Sequence, residues 1–343
     1  MKKHGNTLYI TTQGCFVNRE GENIVISVER QERFRLPIHT VSSVVSFGNV
    51  MWTPHCLGLC GEHNVSVTFL SESGRFFSRI IGPQSGSVLL RRAQHEKTRA
   101  ADSISQAARW MVSAKIANTR SLLQRAIRDH GDKIDVPSVE SVVKQLAFSL
   151  QSLRSPMPID QVRGIEGDAA RKAFSVYNHL ILVNKTSFFF RERTRRPPLD
   201  NVNALLSFIY TLLAHDLTTA CESVGLDPQM GFLHADRAGR PSLALDMMEE
   251  FRAWLADRLA LSLINRQQLT GSDFQQQENG AVKMSEKARK TVIQAWQQRK
   301  NDEMTHPFLN EKMTVGLVPL VQAQLMARWI RGDLDAYPPV FTK

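Results

Sequence analysis

Hydrophobic periodicity changes once along this chain, near residue 83, and that change dictates two kinds of architecture in series. Up to that point the apolar residues come in short β-branched or aromatic runs: LYITTQGCFVN, NIVISVE, RFRLPI, VSSVVSFG, VSVTFLSESG and RFFSRIIGP, cut by Gly, Asn and Ser turns. Runs of this length and composition form strands. Between two of them, TPHCLGLCGEHN predicts a short helix with Pro54 in its first turn. After Gly82, Pro83 and Gly86 the spacing becomes helical: Ile104, Ala107, Ala108, Met111 and Ala114 share a stripe, continued by Leu122, Leu123, Ala126 and Ile127 as far as Gly131. Further helices are expected at about 138–153, 160–184, 201–224, 242–266, 285–300 and 314–332. The expected fold is α+β: an N-terminal antiparallel β-sandwich or roll over residues 1–83, then a larger all-α domain over 84–343.

Charge narrows the class of partner. Lys and Arg number 43 against 33 Asp and Glu, and the net +10 is spread over most of the chain rather than held in a tail. A field of that kind favours a polyanion through counterion release. No stretch of 18 apolar residues occurs, and MKKHGNTLYITTQG turns polar too early for a signal peptide, so a cytoplasmic protein with no membrane span is expected. Four cysteines in a chain this long do not make a disulfide framework; Cys15, Cys56, Cys60 and Cys221 are expected as reduced thiols.

In so basic a chain, concentrated acid needs a reason. GFLHADRAGRPSLALDMMEEFR places His234 in a Gly/Pro-bounded loop and then Asp246, Glu249 and Glu250 within about one helical turn. On a helix starting near Ser242, Asp246 pairs with Glu249 at i,i+3 and with Glu250 at i,i+4. Like charges at that spacing cost stability unless a cation joins them; the alternative is a solvated acidic face, with His234 a capping residue. A second signal is QVRGIEGDAARKAF, where Glu166 lies between Gly164 and Gly167 inside an otherwise amphipathic helix. Each interior glycine costs about 1 kcal/mol relative to Ala, so close approach of a ligand or another backbone is one cause, and a kink or tight helix crossing is the other. Two acids and one imidazole make an open three-ligand site for Mg²⁺ or Mn²⁺, and phosphoryl transfer is the chemistry that suits it.

FFFRERTRRPPLDNVNALLSF carries Arg191, Arg193, Arg195 and Arg196 just before Pro197 and Pro198, with Asp200 placed to cap the next helix. Guanidinium groups bind phosphates bidentately, so the cluster is a candidate DNA contact; the alternative is a surface run with intrahelical pairs such as Glu192 with Arg196. Arg252 either pairs with phosphate or offsets Glu249 internally. Cys56 and Cys60, with His55 and His63 nearby, lack a second Cys pair and are expected to pack rather than bind zinc. His215 lies in an apolar helix and is expected as a core histidine, and Trp110, Trp254, Trp296 and Trp329 are expected in the core.

These stretches resemble a known family. LYITTQG, FGNVMWTP, GRFFSRIIGP, SGSVLLRRAQ, RGIEGDAAR, RRPPLDNVNALLSFIYTLL, GFLHADRAGRPSLALDMMEEFR, GAVKMSEKARKTVIQAWQQRK and QAQLMARWIRGDLDAY, in order over nearly the whole chain, are similar to the CRISPR-associated endonuclease and integrase of spacer acquisition (Cas1), in a form like that of subtype I-C systems. The resemblance implies an N-terminal β-domain that dimerises and an α-domain that holds Mg²⁺ or Mn²⁺. It carries the family's metal-binding and catalytic residues onto Glu166, His234 and Glu249, with Asp246 a neighbouring acid that some members need and Glu250 left at the surface. It also implies DNA as partner, both the prespacer duplex and the CRISPR repeat, and a small dimeric adaptation protein that bridges two homodimers into a heterohexamer. The activity implied is attack of a DNA 3′-hydroxyl on a phosphodiester at the repeat edge. Two other readings stay open on the residues alone: a structure-selective, metal-dependent nuclease of repair or recombination, and a non-catalytic basic scaffold that binds DNA.

Overall fold

In the computed structural model residues 6–72, 74–83 and 87–342 are described. The first 80 residues form β1 (Thr7–Ile10), β2 (Cys15–Glu20), β3 (Asn23–Val28), β4 (Gln31–Pro37), β5 (Ser43–Phe47), β6 (Val50–Trp52), α1 (Pro54–Glu62), β7 (Ser66–Leu70) and β8 (Phe76–Ile80). They make two four-stranded sheets, ordered β1-β5-β7-β8 and β4-β3-β2-β6. Ile10, Val17, Ile24, Val44 and Val67 meet between the sheets, with Cys56, Leu59 and Cys60 of α1 closing one side. All four cysteines are free and buried, as packing requires.

The sheets are mixed, which corrects the expectation of antiparallel pairing throughout. β2-β3-β4 and β7-β8 are antiparallel, but β1-β5, β5-β7 and β2-β6 run parallel. The parallel pairs need crossovers. The return from β1 to β5 passes through β2, β3 and β4 of the other sheet, and that from β5 to β7 passes through β6 and α1. Turn residues report local hairpins and are silent about such returns. β5 is buried at every position, Ser43 and Ser46 included, so both of its faces are covered. Its inner side packs on the second sheet through Val44, while Val45 and Phe47 enter the helical core.

The helical part comprises α2 (Val88–Lys97), α3 (Ala101–His130), α4 (Val136–Ser152), α5 (Ile159–Ser175), α6 (Asn201–Ser223), α7 (Ser242–Met248), a π-helical segment (Arg252–Asp257), α8 (Arg258–Asn265), α9 (Glu286–Asn301) and α10 (Val318–Arg331). The expected change of domain at residues 83 and 84 falls between β8 and α2, and residues 84–86 lie outside the described residues. The part is not all-α: β9 (Phe274–Gln276) pairs with β10 (Val282–Met284), and β11 (Glu303–Thr305) with β12 (Lys312–Thr314). Three-residue strands are too short to show alternation in sequence. Asp200 caps α6, its carboxylate accepting from the Asn203 N–H at 2.7 Å.

α6 is long and apolar enough to cross a membrane by composition, yet it lies mostly buried as the central core helix. Its His215 stitches it to the first sheet, with Nδ1 3.2 Å from Thr68 Oγ1 and Nε2 3.4 Å from Ser43 Oγ. Burial pushes this imidazole well below the ordinary histidine range, so it is a neutral core histidine. Arg79 of β8 adds a second tie, donating to Glu222 Oε2 at 2.5 Å and to Thr219 Oγ1 at 3.0 Å.

Candidate active site

The expected single helix over 242–266 is broken, and the break separates the three acids. α7 ends at Met248, residues 249–251 form a turn, and the chain winds as a π-helix before α8 resumes. Such π segments recur at functional sites because they re-aim side chains. The three carboxylates therefore do not share a face. Each goes to a different partner.

Asp246 is fully buried and turns to the loop before its own helix. Its Oδ2 accepts the N–H of Phe232 at 2.5 Å and of Leu233 at 2.9 Å; its Oδ1 accepts the N–H of His234 at 3.0 Å and lies 2.6 Å from His234 Nδ1. Four donors on two oxygens leave this carboxylate little capacity for a metal. Its work is to fold the loop and set the imidazole, with Nδ1–H toward Asp246 and Nε2 left without a hydrogen-bond partner among the described residues. Gly231 allows that loop path: a β-carbon there would lie 2.6 Å from Asp246 Oδ2.

Glu250 corrects the expectation of a surface residue. It is fully buried beneath the C-terminal tail, accepting from Tyr337 Oη at 2.5 Å, Val340 N at 2.9 Å and Gln322 Nε2 at 3.0 Å. Burial outweighs those donors and raises its carboxyl to about 7. Nothing in the sequence pointed to residues 337–340 as its partners, because they lie far along the chain.

Glu249 faces the opposite way, into a charged cluster. Arg252 Nη2 lies 3.0 Å from its Oε1, and Lys115 Nζ lies 2.8 Å from its Oε2. Burial pushes the carboxyl up, but Arg252, Lys115 and His234 outweigh burial and hold it at about 2. Lys115 Nζ also donates to Glu166 Oε1, so one ammonium spans carboxylates from two separate elements. Glu166 projects from α5, which is anchored to the histidine loop by Arg163 Nε donating to Leu233 O at 2.8 Å. Glu166, His234 and Glu249 thus lie around one region, bounded by α3, α5 and the loop.

Among the described residues no three His, Cys, Asp or Glu side chains converge closely enough to hold a metal ion as they stand. The Lys115 ammonium occupies the space between two of them. Three features nevertheless suit a divalent ion. Glu249 Oε2 is buried with Lys115 Nζ as an ion-pair partner at 2.8 Å and no aligned hydrogen bond among the described residues. His234 Nε2 is directed by Asp246 rather than consumed by it. And β-carbons built at Gly164 and Gly167 meet no described heavy atom within 4 Å, so neither a tight helix crossing nor a neighbouring backbone accounts for these glycines. α5 is open to solvent at both glycines.

The arginine cluster divides as well. Residues 191–200 form no helix, and no Glu192–Arg196 ion pair is present among the described residues. Arg193 turns inward, donating to Asn203 Oδ1 at 2.7 Å, Thr194 O at 2.6 Å and Ser207 Oγ at 3.0 Å, with its guanidinium 5.4 Å from the Tyr210 ring centre. These bonds tie Arg193 to α6. Arg191 lies by the Phe189 ring, and Arg195 and Arg196 are exposed. Arg252 takes the internal option, paired with Glu249 and 5.0 Å from the Tyr210 ring centre. Arg195, Arg252, Lys115, Tyr210 and Asp257 are among the charged and phenolic residues lining a cavity of about 50 Å³, whose remaining walls are mainly apolar.

Lys115 and Asn118 are the residues missed from sequence. Lys115 follows Met111 by four positions and Ala108 by seven, which puts a lysine on the buried stripe of α3. A charge on an apolar stripe is the signal that was there to use. Asn118, one turn on, donates to Glu250 O and Val340 O, both at 2.8 Å, and ties the 249–251 turn to the tail.

Residues 8–298 match the family described as CRISPR associated protein Cas1. The chain belongs to the Cas1 family. It is 51% identical over 339 residues to the CRISPR-associated endonuclease Cas1 1 of Chlorobaculum tepidum, covering 99% of both chains. Two solved structures share its fold at about a fifth sequence identity. One is a casposase bound to integration product, with a TM-score of 0.83, 20% identity, and coverage of 97% of this chain and 93% of that one. The other is a Cas6-RT-Cas1–Cas2 complex, with a TM-score of 0.84 and 21% identity, in which this whole chain matches 37% of the longer partner. The shared fold is the two-part arrangement of sheets and helices described above, and the Cas1 sequence match spans Glu166, His234 and Glu249 alike.

Proposed function

We propose that this chain is a metal-dependent DNA integrase and endonuclease of CRISPR adaptation, with Glu166, His234 and Glu249 as its Mg²⁺ or Mn²⁺ ligands. The observation that carries the reading is Glu249: a buried, permanently ionised carboxylate with one oxygen lacking an aligned donor, aimed at the same cation position as Glu166. Bound there, a divalent ion supplies Lewis-acid polarisation of a phosphoryl oxygen and a more acidic attacking hydroxyl. The chain's own residues do the rest. Arg252 keeps Glu249 charged, Asp246 fixes the imidazole so that Nε2 faces outward, and the open surface beside Gly164 and Gly167 admits the DNA backbone to Glu166.

The reaction is transesterification. The 3′-oxygen of a short DNA forms a bond to phosphorus at the repeat edge, the bond from that phosphorus to its original 3′-oxygen breaks, and the proton of the attacking hydroxyl passes to solvent while the leaving oxygen takes one up. Phosphodiester bonds are conserved in number, so no nucleotide is hydrolysed. With water in place of the hydroxyl the same site cleaves DNA, which is the activity in the name of the Chlorobaculum relative.

Two partners belong to the proposal. A second copy docks through the β-region: Phe16 and Met51 are directly paired neighbours on the outer face of the second sheet and are 42% and 63% exposed. A small Cas2-type protein bridges such dimers into a heterohexamer, supported by the occurrence of this fold in the Cas6-RT-Cas1–Cas2 complex. The test is strand transfer by wild type and His234→Ala onto a repeat-bearing plasmid. Products with a new branch establish integrase activity, and shortened strands alone establish a nuclease.

A further inference from the structure

We propose that Lys115 is a built-in counter-cation for the metal slot, so that metal binding exchanges the Lys115 ammonium for the divalent ion. This rests on the metal site proposed above and goes beyond it, by assigning what occupies that slot before the metal and what the metal must displace.

The geometry is specific. Lys115 comes from α3, whereas Glu166 and Glu249 come from α5 and from the turn after α7, so the three meet only in the fold. The ammonium is hydrogen-bonded to Glu166 Oε1 and lies 2.8 Å from Glu249 Oε2. Its side chain is 11% exposed and Glu249 is 2% exposed. A metal held by both carboxylates would need the region between them that the ammonium now fills. An ammonium and a divalent ion cannot share that space, since like charges about 3 Å apart in a buried setting repel by several kcal/mol even at a high effective dielectric.

Neither cation is dispensable in its own state. Without a cation the two carboxylates would face each other across a poorly solvated gap, which Arg252 offsets on only the Oε1 side of Glu249. Lysine suits an exchange because its charge is a compact head on a flexible stem, whereas an arginine fork would hold both acids bidentately. Lys115 Nζ is held only through its flexible stem, so its head can leave the two carboxylates without moving α3.

The experiment is Mn²⁺ titration of the full-length protein without DNA, read by electron paramagnetic resonance of free Mn²⁺, for wild type, Lys115→Met, Lys115→Arg and Glu249→Gln. Melting temperatures in EDTA and in Mn²⁺ accompany each titration. Removing the internal competitor should tighten Mn²⁺ binding by about tenfold or more in Lys115→Met. The same variant should melt lower than wild type in EDTA and gain more from Mn²⁺. Lys115→Arg should bind Mn²⁺ more weakly than wild type, and it decides the matter if Lys115→Met does not fold.

Equal or weaker Mn²⁺ binding by folded Lys115→Met overturns the exchange, as does wild-type or tighter binding by Lys115→Arg. If wild type binds Mn²⁺ and Glu249→Gln does not, that failure belongs to Lys115 alone. If wild type binds no Mn²⁺, or Glu249→Gln binds as well as wild type, the metal site itself is overturned and the exchange with it.

Discussion

Asp246→Asn separates the two roles that adjacent acids play. The carboxylate takes four donors at 2.5–3.0 Å, two per oxygen, in full burial. Asparagine keeps one oxygen and turns an amide NH₂ toward the other pair of donors. If the NH₂ faces Phe232 and Leu233, two buried N–H groups lose a charged acceptor. If it faces His234, the imidazole must take the other tautomer to accept from it, and Nε2 then carries the proton and cannot ligate. Two charge-assisted hydrogen bonds at roughly 1.5–3 kcal/mol each give about 3–6 kcal/mol of lost local stability. In a chain of this length that lowers the melting temperature by roughly 4–8 °C. Loss of an orienting partner of this kind costs about 10–100-fold in metal affinity. Glu249→Gln should instead remove Mn²⁺ binding outright and leave the 231–241 loop intact. Mn²⁺ titration with limited proteolysis of that loop distinguishes the two. Wild-type melting and wild-type affinity in Asp246→Asn would refute the positioning role, and loss of all binding there with retention in Glu249→Gln would invert the ligand assignment.

The arginines and the buried acids make further tests. Arg193→Ala, which removes part-buried bonds to Asn203, Thr194 and Ser207, should cost about 2–4 kcal/mol in urea denaturation. Arg195→Ala and Arg196→Ala should leave stability unchanged, and each should reduce the salt slope of DNA binding by about one. The reverse pattern would show that the cluster has been divided wrongly. Asp257 gives a pH test: burial, only partly offset by its 2.5 Å bond from Tyr210 Oη and by Arg252, raises its carboxyl from 3.8 to about 6. The folded state therefore holds this proton to higher pH than the unfolded chain. Its contribution is greatest below 3.8 and is lost as pH rises through 6, by about 3 kcal/mol. Asp257→Asn should abolish that component, so that the difference in unfolding free energy between variant and wild type shifts by about this amount from about pH 4 to about pH 7; an unchanged difference would contradict the assignment.

What could be read from the sequence follows from the range of the physics involved. The switch from strand to helix, the Asp200 cap and His215 as a core residue depend on local spacing and were legible. Strand direction was not, since the β1–β5 pairing is set by a path through the other sheet. The shared face of the three acids was misjudged: i,i+3 and i,i+4 rules assume a regular helix, and the turn at 249–251 with the π segment after it defeats them. Glu250 looked like surface because its partners Tyr337 and Val340 are remote in sequence. Arg193 looked like its neighbours in the cluster, and only Asn203 and Ser207 on the next helix distinguish it.

The most direct test joins DNA. A labelled short duplex with free 3′-hydroxyls is incubated with a plasmid carrying a CRISPR repeat, Mn²⁺ and a Cas2-type partner, and products are resolved on denaturing gels for wild type and His234→Ala. Wild type should give labelled branched product, His234→Ala none, and neither should give any in EDTA. Joining by His234→Ala at the wild-type rate, or joining that survives EDTA, would contradict it.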